Sequence, residues 1–363
     1  MSAPTGHRSP SADVVALDVS FRRLDGGGKR VQAFLAALDA LGVEPEPIGV
    51  GPSGIAGTEQ VVTSRLHRIK RHLLPVQLRR PVEDQLSRFD HPRPVVSLTP
   101  GANRWALKAP AAWLDFPDLW SNFARNHAQA VGAVAGASSV AQAQLWSRRE
   151  AYECAQADVV TTASLADKHQ LGRRAVWLPT PVTESDAILK QRRATNPKST
   201  VVYGMLANFD YPPNRDAYDR LIRQWLPTLR PSADRVVVAG FGSEKLPNAD
   251  GTAVIGALAD VAEFYEQVDV VLAPIYLGGG MKVKVVEAMM YGRPVIASAH
   301  ARSGLPDAVA GACVKWEHLQ GGSVRQYVDP RSDARVADDL SRFTLDSFTS
   351  IFSNLWRERM VGR

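Results

Sequence analysis

Three consecutive glycines, two lysines and a glutamate lie within one short segment in the second half of the chain. Gly278–Gly280 allow the backbone to approach a ligand closely, because glycine has no Cβ atom. Lys282 and Lys284 add positive charge where a helix is expected to begin, and the free N–H groups of a helix start favour an anion. Glu287 follows one or two turns later and can accept hydrogen bonds from ribose hydroxyls. This spacing predicts a site for a nucleoside diphosphate.

Two apolar runs flank this segment and predict the elements that position it. Val270–Pro274 precedes the glycines and Val295–Ala297 follows, and both have the length of buried strands. A helix is predicted between them, from near Met281 to Gly292, with Pro294 preventing its continuation. Two strands joined through a helix form a parallel βαβ unit. The glycines therefore lie at the carboxyl end of a strand, where open α/β sheets bind ligands.

The string from Asp269 to Ser298, DVVLAPIYLGGGMKVKVVEAMMYGRPVIAS, resembles the donor-binding motif of retaining glycosyltransferases of the family-4 type, the glycosyl transferases group 1. In the subgroup that it resembles, a glycine-rich stretch is followed by a basic residue, a glutamate, alanine and a Gly-x-Pro-Val ending. Glu287 matches that glutamate, the second of the family's Glu-x7-Glu signature. Gly279 stands where the first glutamate, which usually contacts the donor sugar, would be. For the glycines alone, a tight turn of any doubly wound domain is the alternative.

Two further segments carry the same resemblance. Residues 148–164, RREAYECAQADVVTTAS, resemble the end of the family's N-terminal domain, and residues 201–217, VVYGMLANFDYPPNRDA, resemble the start of its C-terminal domain. Many relatives have an Arg and a Lys in this second segment that bind the diphosphate, and here Met205 and Asn214 stand near those places. The resemblance therefore assigns the phosphate charge to the helix start and the two lysines of the glycine-rich motif. Lys284 is ranked first for this role; the other lysine has a surface position as its alternative.

The fold implied by the resemblance is GT-B: two Rossmann-like, doubly wound α/β domains that face a central cleft, with a C-terminal helix returning to the N-terminal domain. We expect the acceptor-side domain at residues 1–183, with a disordered leader at 1–12. A polar segment without strong periodicity is the predicted linker, at 184–199. The nucleotide-sugar-binding domain is expected at 200–340 and the returning helix at 341–363, and the tail is predicted to be helical from Val336 to Met360.

The resemblance also implies donor contacts at the ends of other strands. In the C-terminal domain they comprise a glycine turn, backbone groups that hold the base, and the backbone of the central motif. These residues are Gly240, Phe241, Gly242, Ile255, Gly256, Gly279, Gly280, Met281 and Val283. In the N-terminal domain, Gly27 and Gly28 fit a glycine loop that faces the donor phosphates. A nicotinamide site is poorly supported, because the GxGxxG fingerprint is absent. Asp118, which follows a predicted strand at 111–116, is the candidate acceptor contact, with a helix cap as its alternative.

The bulk properties are those of a soluble, two-domain α/β protein. The chain has 363 residues and a net charge of +6, has no apolar run of about eighteen residues, and its first residues lack the apolar core of a signal peptide. Two cysteines without CxxC or His-rich surroundings indicate reduced thiols and no metal site. Residues 65–80, RLHRIKRHLLPVQLRR, predict a basic amphipathic helix that lies on an anionic membrane, or else a solvated basic face. Nucleic-acid binding is not expected, because no corresponding motif is present.

These observations predict a cytoplasmic glycosyltransferase, peripheral on the inner face of the membrane, that transfers a sugar from a nucleotide diphosphate sugar with retention of anomeric configuration. The acceptor is a glycan, a lipid-linked sugar or a small metabolite. We expect neither a metal nor a cofactor beyond the donor, because the lysines and the helix dipole take the metal's place. The alternatives are a nucleotide-binding protein that has lost turnover, a GT-B nucleotide-sugar epimerase and a phosphorylase.

Overall fold

A computed structural model describes most of the chain, in ten stretches. They are residues 10–17, 26–51, 54–55, 86, 92–131, 133–182, 201–229, 235–247, 249–319 and 329–361. The predicted basic helix at 65–80, the predicted linker at 184–199 and residues 1–9 of the predicted leader lie outside the described residues. Contacts divide the chain into two compact units. Unit 1 comprises Met1–Arg125, Ala137–Pro181 and Asp346–Arg363, and unit 2 comprises Asn126–Gly136 and Val182–Leu345.

Unit 1 is built on a seven-stranded sheet with the order β3-β2-β1-β4-β5-β6-β7. Every strand pair is parallel except the pair of β2 with β3. The strands are β1 Ser11–Leu17, β2 Glu44–Gly51, β3 Gly54–Ile55, β4 Val95–Ser97, β5 Ala112–Phe116, β6 Val159–Thr162 and β7 Ala175–Trp177. The helices are α1 Gly26–Asp39, α2 Asn103–Ala106, α3 Trp120–Val131, α4 Ala133–Gln156 and α5 Leu165–Leu171. The end of α3 and the start of α4, residues 126–136, group with unit 2. Strands that alternate with helices in this way form a doubly wound α/β domain.

A buried polar network connects α1 to three strand ends of this sheet. Arg30 forms a bidentate pair with Asp115, at 2.6 Å for each nitrogen–oxygen contact, and donates from Nη1 to the carbonyl of Leu178 at 2.8 Å. Thr161 donates to the same carboxylate at 2.7 Å and accepts from the indole of Trp113 at 2.8 Å. A buried pair of this kind is stable only when its remaining hydrogen-bonding groups are also satisfied. Asp115 is therefore a structural residue of unit 1.

Unit 2 is built on a six-stranded, fully parallel sheet with the order β10-β9-β8-β11-β12-β13. The strands are β8 Val202–Leu206, β9 Arg235–Ala239, β10 Thr252–Gly256, β11 Val270–Ala273, β12 Val295–Ala297 and β13 Val314–Lys315. The helices are α6 Pro212–Arg220, which runs through a π-helical segment at Leu221–Trp225 into α7 Leu226–Leu229, then α8 Val261–Gln267, α9 Val283–Met290, α10 Ala299–Arg302, α11 Asp307–Ala312 and α12 Ala334–Ser341. The strand order reverses between β8 and β11, which makes the carboxyl ends of these two strands the switch point of the sheet.

The last helix, α13 Leu345–Arg359, packs within unit 1 through its aromatic face. The rings of Phe348 and Phe352 meet Phe34 edge to face at 5.2 and 5.6 Å between centroids, and Phe352 stacks on Trp113 at 4.5 Å. Such pairs stabilise by about 0.5–1.5 kcal/mol each beyond the burial of apolar area. The α/β fold with two doubly wound domains is thus confirmed.

Three details of the prediction are wrong. Strand β1 begins at Ser11, so residues 11 and 12 belong to the sheet and not to a leader. The tail forms two helices, α12 and α13, where one helix from Val336 to Met360 was predicted. Strand β2, with the sequence EPEPIGVG, was not predicted. Among the helices that the structure describes, none has the length and apolar character needed to cross a membrane.

Candidate functional site

The segment that follows β11 meets the segment that follows β8 at the switch point of the unit 2 sheet. Lys284 donates from Nζ to the side-chain oxygen of Asn214 at 3.0 Å. The amide nitrogen of Asn214 in turn donates to the carbonyl of Asn208 at 2.7 Å. A Cβ atom added to Gly278 would lie 3.8 Å from the hydroxyl of Tyr211. The predicted βαβ unit is present, with β11 and β12 parallel, and its loop lies where open α/β sheets bind ligands.

Helix α9 begins two residues later than predicted. Its first residue is Val283, and Lys282 precedes it in a non-helical conformation with φ −89° and ψ 84°. The predicted start near Met281 is therefore wrong. As a consequence, the stretch from Gly278 to Lys282 is a loop with its own backbone directions, set in part by the positive φ of 107° at Gly278 and 59° at Gly280.

The three glycine carbonyls of this loop all accept hydrogen bonds from side chains. Lys282 donates from Nζ to the carbonyls of Gly279 at 2.8 Å and Gly280 at 2.7 Å. The carbonyl of Gly278 accepts from the Nδ2 of Asn126 at 3.1 Å and from the Nε2 of His300 at 3.0 Å. The three glycine carbonyls thus have four side-chain contacts, which fix the orientation of three consecutive peptide groups.

The N–H groups of the same peptides face the other way. The peptide bonds are trans, and in a trans peptide the N–H points opposite to the carbonyl that precedes it. Within the described part of the chain, the N–H groups of Gly279, Gly280 and Met281 have no hydrogen-bond acceptor. Consecutive free N–H groups of this kind form an anion-binding concavity. The predicted donor residues Gly279, Gly280 and Met281 are thus brought together, and Val283 follows them as the first residue of α9.

The two lysines of the motif have different positions. Lys282 is buried, with 8% of its surface exposed, and its ammonium contacts the carbonyl side of the loop. The surface position considered for it is wrong, because the glycine carbonyls hold it. Lys284 is the second residue of α9, is half-buried, and donates to Asn214. The pKa of Lys284 is lowered to about 8, chiefly by burial and also by the charge of Lys282, while the charge of Glu287 opposes the shift.

Glu287 is almost completely buried in unit 2 and accepts a hydrogen bond from a tyrosine. The hydroxyl of Tyr265, on α8, donates to its Oε2 at 2.9 Å. The ring of Tyr265 stacks on Tyr291 at 4.5 Å between centroids. Burial raises the pKa of Tyr265 well above its ordinary value, and the charge of Glu287 raises it further. The hydroxyl therefore keeps its proton and remains a donor throughout the neutral range.

We expect Tyr265→Phe to lower the free energy of unfolding by about 2 kcal/mol, because a hydrogen bond to a charged group contributes about 1.5–3 kcal/mol. The ring stack stays in place, so the loss measures the hydroxyl. Tyr291→Phe is the matched control, since the hydroxyl of Tyr291 has no hydrogen-bond partner among the residues that the structure describes. Urea unfolding of both variants checks this expectation; equal stabilities would contradict it.

The glycine turn after β9 is shaped by the close approach of another loop. Gly240 has φ 119°, and a Cβ atom there would lie 2.0 Å from the carbonyl oxygen of Ala207. At Gly242, with φ 76°, it would lie 2.9 Å from the carboxylate of Asp210. Phe241 between them is half exposed, and its carbonyl accepts from the N–H of Phe209 at 2.7 Å.

The edge strand β10 ends beside this turn. The carbonyl of Gly256 accepts from the N–H of Gly240 at 2.8 Å, so it is already engaged within the fold. The register shifts at Ile255, between Val254 and Gly256. Gly256 has φ 80°, and no atom lies within 4 Å of the Cβ that it lacks. Gly240, Phe241, Ile255 and Gly256 are thus brought to one end of neighbouring strands.

The three candidates of the first half lie in unit 1. Gly27 and Gly28 are in the first turn of α1, which begins at Gly26, so the predicted glycine loop at these positions is wrong. Asp118 lies two residues after β5 and is half-buried.

Four residues at the switch point were not predicted as site residues: Asn126, Asn214, Tyr265 and His300. Only Asn214 carries a signal in the sequence, since it stands near a place where relatives have a phosphate-binding residue. His300 follows β12 on α10, whose N-cap Ser298 accepts from the N–H of Ala301. Burial lowers the pKa of His300 to about 4, with the charge of Lys282 contributing. The ring is therefore neutral at pH 7 and donates through Nε2.

Comparisons with known proteins agree with this architecture. Residues 200–332 match the model of the glycosyl transferases group 1 family. A search of curated proteins by sequence found no match. The glycosyltransferase from Rickettsia africae ESF-5 is similar in structure, with a TM-score of 0.55 and 12% identity over 98% of this chain and 100% of that one.

Two further solved structures are similar to this chain in fold at low sequence identity. HepE from Anabaena, in complex with UDP and glucose, has a TM-score of 0.52 and 13% identity over 96% of this chain and 100% of that one. A trehalose-6-phosphate synthase, studied for glycosyl transfer with retention, has a TM-score of 0.52 and 12% identity over 95% and 99%. At these identities the likeness establishes the fold. Both halves of the chain thus have the GT-B architecture, and residues 200–332 match the glycosyl transferases group 1 family.

Proposed function

We propose that this protein transfers a sugar from a nucleotide diphosphate sugar to an acceptor hydroxyl. In this reaction the bond between the anomeric carbon and the β-phosphate oxygen breaks, and the nucleoside diphosphate leaves with the electron pair. The acceptor oxygen forms the new bond to the anomeric carbon and loses its proton. The step requires a positive, preorganised environment for the leaving diphosphate.

The observation that carries this proposal is the row of three free N–H groups from Gly279 to Met281, with Lys284 one turn further on. The N–H groups and the ammonium would bind the diphosphate oxygens. In this proposal these groups, and not a metal ion, neutralise the diphosphate. Such donors are worth most where charge develops in the transition state, and removing one typically costs about 100- to 1000-fold in rate. Lys282 contributes its charge from behind the loop.

The remaining donor contacts are proposed around this diphosphate site. Glu287 would accept from the ribose, and the ends of β9 and β10 would receive the base near Phe241, Ile255 and Gly256. HepE, solved with UDP-glucose, supports a nucleotide sugar as donor, and the trehalose-6-phosphate synthase supports retention. Asp118 is the proposed acceptor contact, on a glycan, a lipid-linked sugar or a small metabolite.

A thermal-shift screen of nucleoside diphosphates and nucleotide sugars tests the proposal. A ligand that binds only the native state raises the melting temperature, by an amount that corresponds to about 2.7 kcal/mol when its concentration is 100 times Kd. We expect one base and one sugar to be selected, and the selected donor to be consumed only when an acceptor is added. No shift with any nucleotide would refute the proposal.

A nucleotide-binding protein without turnover is the second candidate. Gly279 favours it, because a glycine has no side chain to contact the donor sugar in place of the family's first glutamate. Binding of a nucleoside diphosphate without transfer or hydrolysis of any donor would favour this candidate, whereas conversion of a free nucleotide sugar without acceptor would indicate an epimerase.

A further inference from the structure

The orientation of the glycine loop depends on side chains that never face its N–H groups. Lys282 and His300 contact the loop only through carbonyl oxygens, at 2.7–3.0 Å. Because both glycine carbonyls that Lys282 binds converge on a single ammonium nitrogen, the N–H groups of Gly280 and Met281 must point away from it. The lysine thus acts as a clamp on the side of the loop opposite the proposed diphosphate.

His300 holds the first peptide of the same loop from a different element. It lies on α10, and the hydroxyl of Ser298 at the start of that helix hydrogen-bonds both the carbonyl of Ile275 and the N–H of Ala301. The histidine is therefore connected to the end of β11 as well as to the glycine loop. The second donor to Gly278 is Asn126, which groups with unit 2 by its contacts.

The histidine brings no charge to this position. Only its neutral form is compatible with burial beside the ammonium of Lys282, and a neutral imidazole donates through one nitrogen and accepts through the other. The carbonyl of Gly278 only accepts, so Nε2 carries the proton. A neutral donor here binds the carbonyl and leaves the positive charge of the site to the lysines.

We propose that His300 and Lys282 are positioning residues of the donor site: they hold the carbonyls of Gly278–Gly280, and so direct the N–H groups of Gly279, Gly280 and Met281 toward the donor diphosphate. This inference rests on the proposed function for the identity of the anion. It assigns to Lys282 a role different from that of Lys284, namely binding the loop and not the phosphate. It also assigns to this donor site a residue that lies outside the glycine-rich motif.

The test compares His300→Leu with His300→Gln. The leucine variant removes the donor while keeping an apolar side chain of similar size, and the glutamine variant can still donate from its amide nitrogen. Arg302→Gln, on the same helix, is the matched control, because Arg302 pairs with Glu317 and not with the loop. Two readouts are measured for each variant: the NMR order parameters of the N–H groups of Gly279, Gly280 and Met281 in the free protein, and the Kd of the nucleoside diphosphate selected by thermal shift.

We expect His300→Leu to lower the order parameters of these N–H groups and to weaken nucleotide binding by about tenfold, the effect of one lost hydrogen bond. His300→Gln should restore binding to within about threefold, and Arg302→Gln should leave both readouts unchanged. Because the site is preorganised for the transition state, kcat should fall together with the affinity for donor in the leucine variant. Melting temperatures of the free variants verify that each is folded.

Two results would overturn the inference while leaving the proposed function intact: unchanged order parameters and Kd in His300→Leu, or an equal loss in the glutamine variant. Lys282→Met gives a second line of evidence, since removing its donors should lower the order parameters of the Gly280 and Met281 N–H groups more than His300→Leu does. If the wild-type protein binds no nucleotide, the proposed function fails, and the order parameters of the free protein still decide whether these side chains hold the loop.

Discussion

Replacing Lys284 with methionine should lower the rate of sugar transfer by about 100-fold or more. Of the two lysines in the motif, Lys282 is bound to the glycine carbonyls, whereas the ammonium of Lys284 contacts Asn214. Methionine keeps most of the apolar side chain and removes the charge. Steady-state kinetics with the selected donor measure the effect, and Lys245→Met, an exposed lysine of the same unit paired with Asp210, is the control for lost net charge.

The pH dependence of the wild-type protein should report the same residue. The pKa of Lys284 is lowered to about 8, so its ammonium is charged at pH 7 and loses its proton as the pH rises through about 8. Donor affinity and kcat/KM should therefore fall above pH 8. Lys284→Arg should retain the charge and remove this fall, because a guanidinium stays protonated at these pH values.

The contribution of Lys284 to the free energy of unfolding should become more favourable as the pH rises above 8, whereas donor affinity falls. A lysine whose pKa is lowered in the folded state opposes folding at pH values below 8, where it is buried in its charged form, and this cost disappears as the pH rises toward 10.5. Lys284→Met should therefore be as stable as the wild type or more so at pH 7, with the difference shrinking at higher pH. Near-normal kinetics, or a loss of activity explained by unfolding, would remove Lys284 from the site.

Gly240→Ala should lower the free energy of unfolding by about 4 kcal/mol or more. The added Cβ atom would lie 2.0 Å from the carbonyl oxygen of Ala207, and φ is 119°. A backbone oxygen cannot yield as a flexible side chain does, so the loop after β8 must move. Because this loop continues to Asn214, which contacts Lys284, nucleotide binding should be lost together with stability.

Gly256→Ala is the matched control for this substitution. Its φ of 80° is also left-handed, but no atom lies within 4 Å of the missing Cβ. The expected cost is about 1–2 kcal/mol, that of the left-handed conformation alone. Urea unfolding of both variants measures the difference. Equal losses would show that φ strain, and not the close approach to Ala207, decides the requirement for glycine at Gly240.

Much of the unit that carries the site follows from the sequence. The strands β11 and β12 were predicted within one residue, because buried parallel strands are short apolar runs and glycine and proline mark their ends. Strand β2 was missed because Pro45 and Pro47 disfavour a strand. Both prolines share one side of the strand, and β3 pairs there only with Val50 and Gly51. Among the described residues, the missing N–H groups therefore face an unpaired edge, where proline is tolerated.

The contacts within the site follow from the sequence only in part. Lysines, glycines and a glutamate at this spacing indicated an anion site. The different contacts of Lys282 and Lys284 depend on the φ and ψ angles of Lys282, which the sequence does not indicate. His300 is brought to Gly278 by the parallel pairing of β11 with β12, and nothing in its local sequence indicates this contact. For Gly27 and Gly28, a run of three glycines predicted a loop, and the helix nevertheless begins at Gly26 because Arg30 and Phe34 anchor its next turns in the core.

The most direct test of the central claim is a crystal structure of the protein with the nucleoside diphosphate selected by thermal shift. We expect phosphate oxygens at about 2.7–3.1 Å from the N–H nitrogens of Gly280 and Met281 and from Nζ of Lys284. The ammonium of Lys282 should keep its contacts with the glycine carbonyls. A diphosphate bound elsewhere, or a loop whose carbonyls turn toward the phosphate, would contradict it.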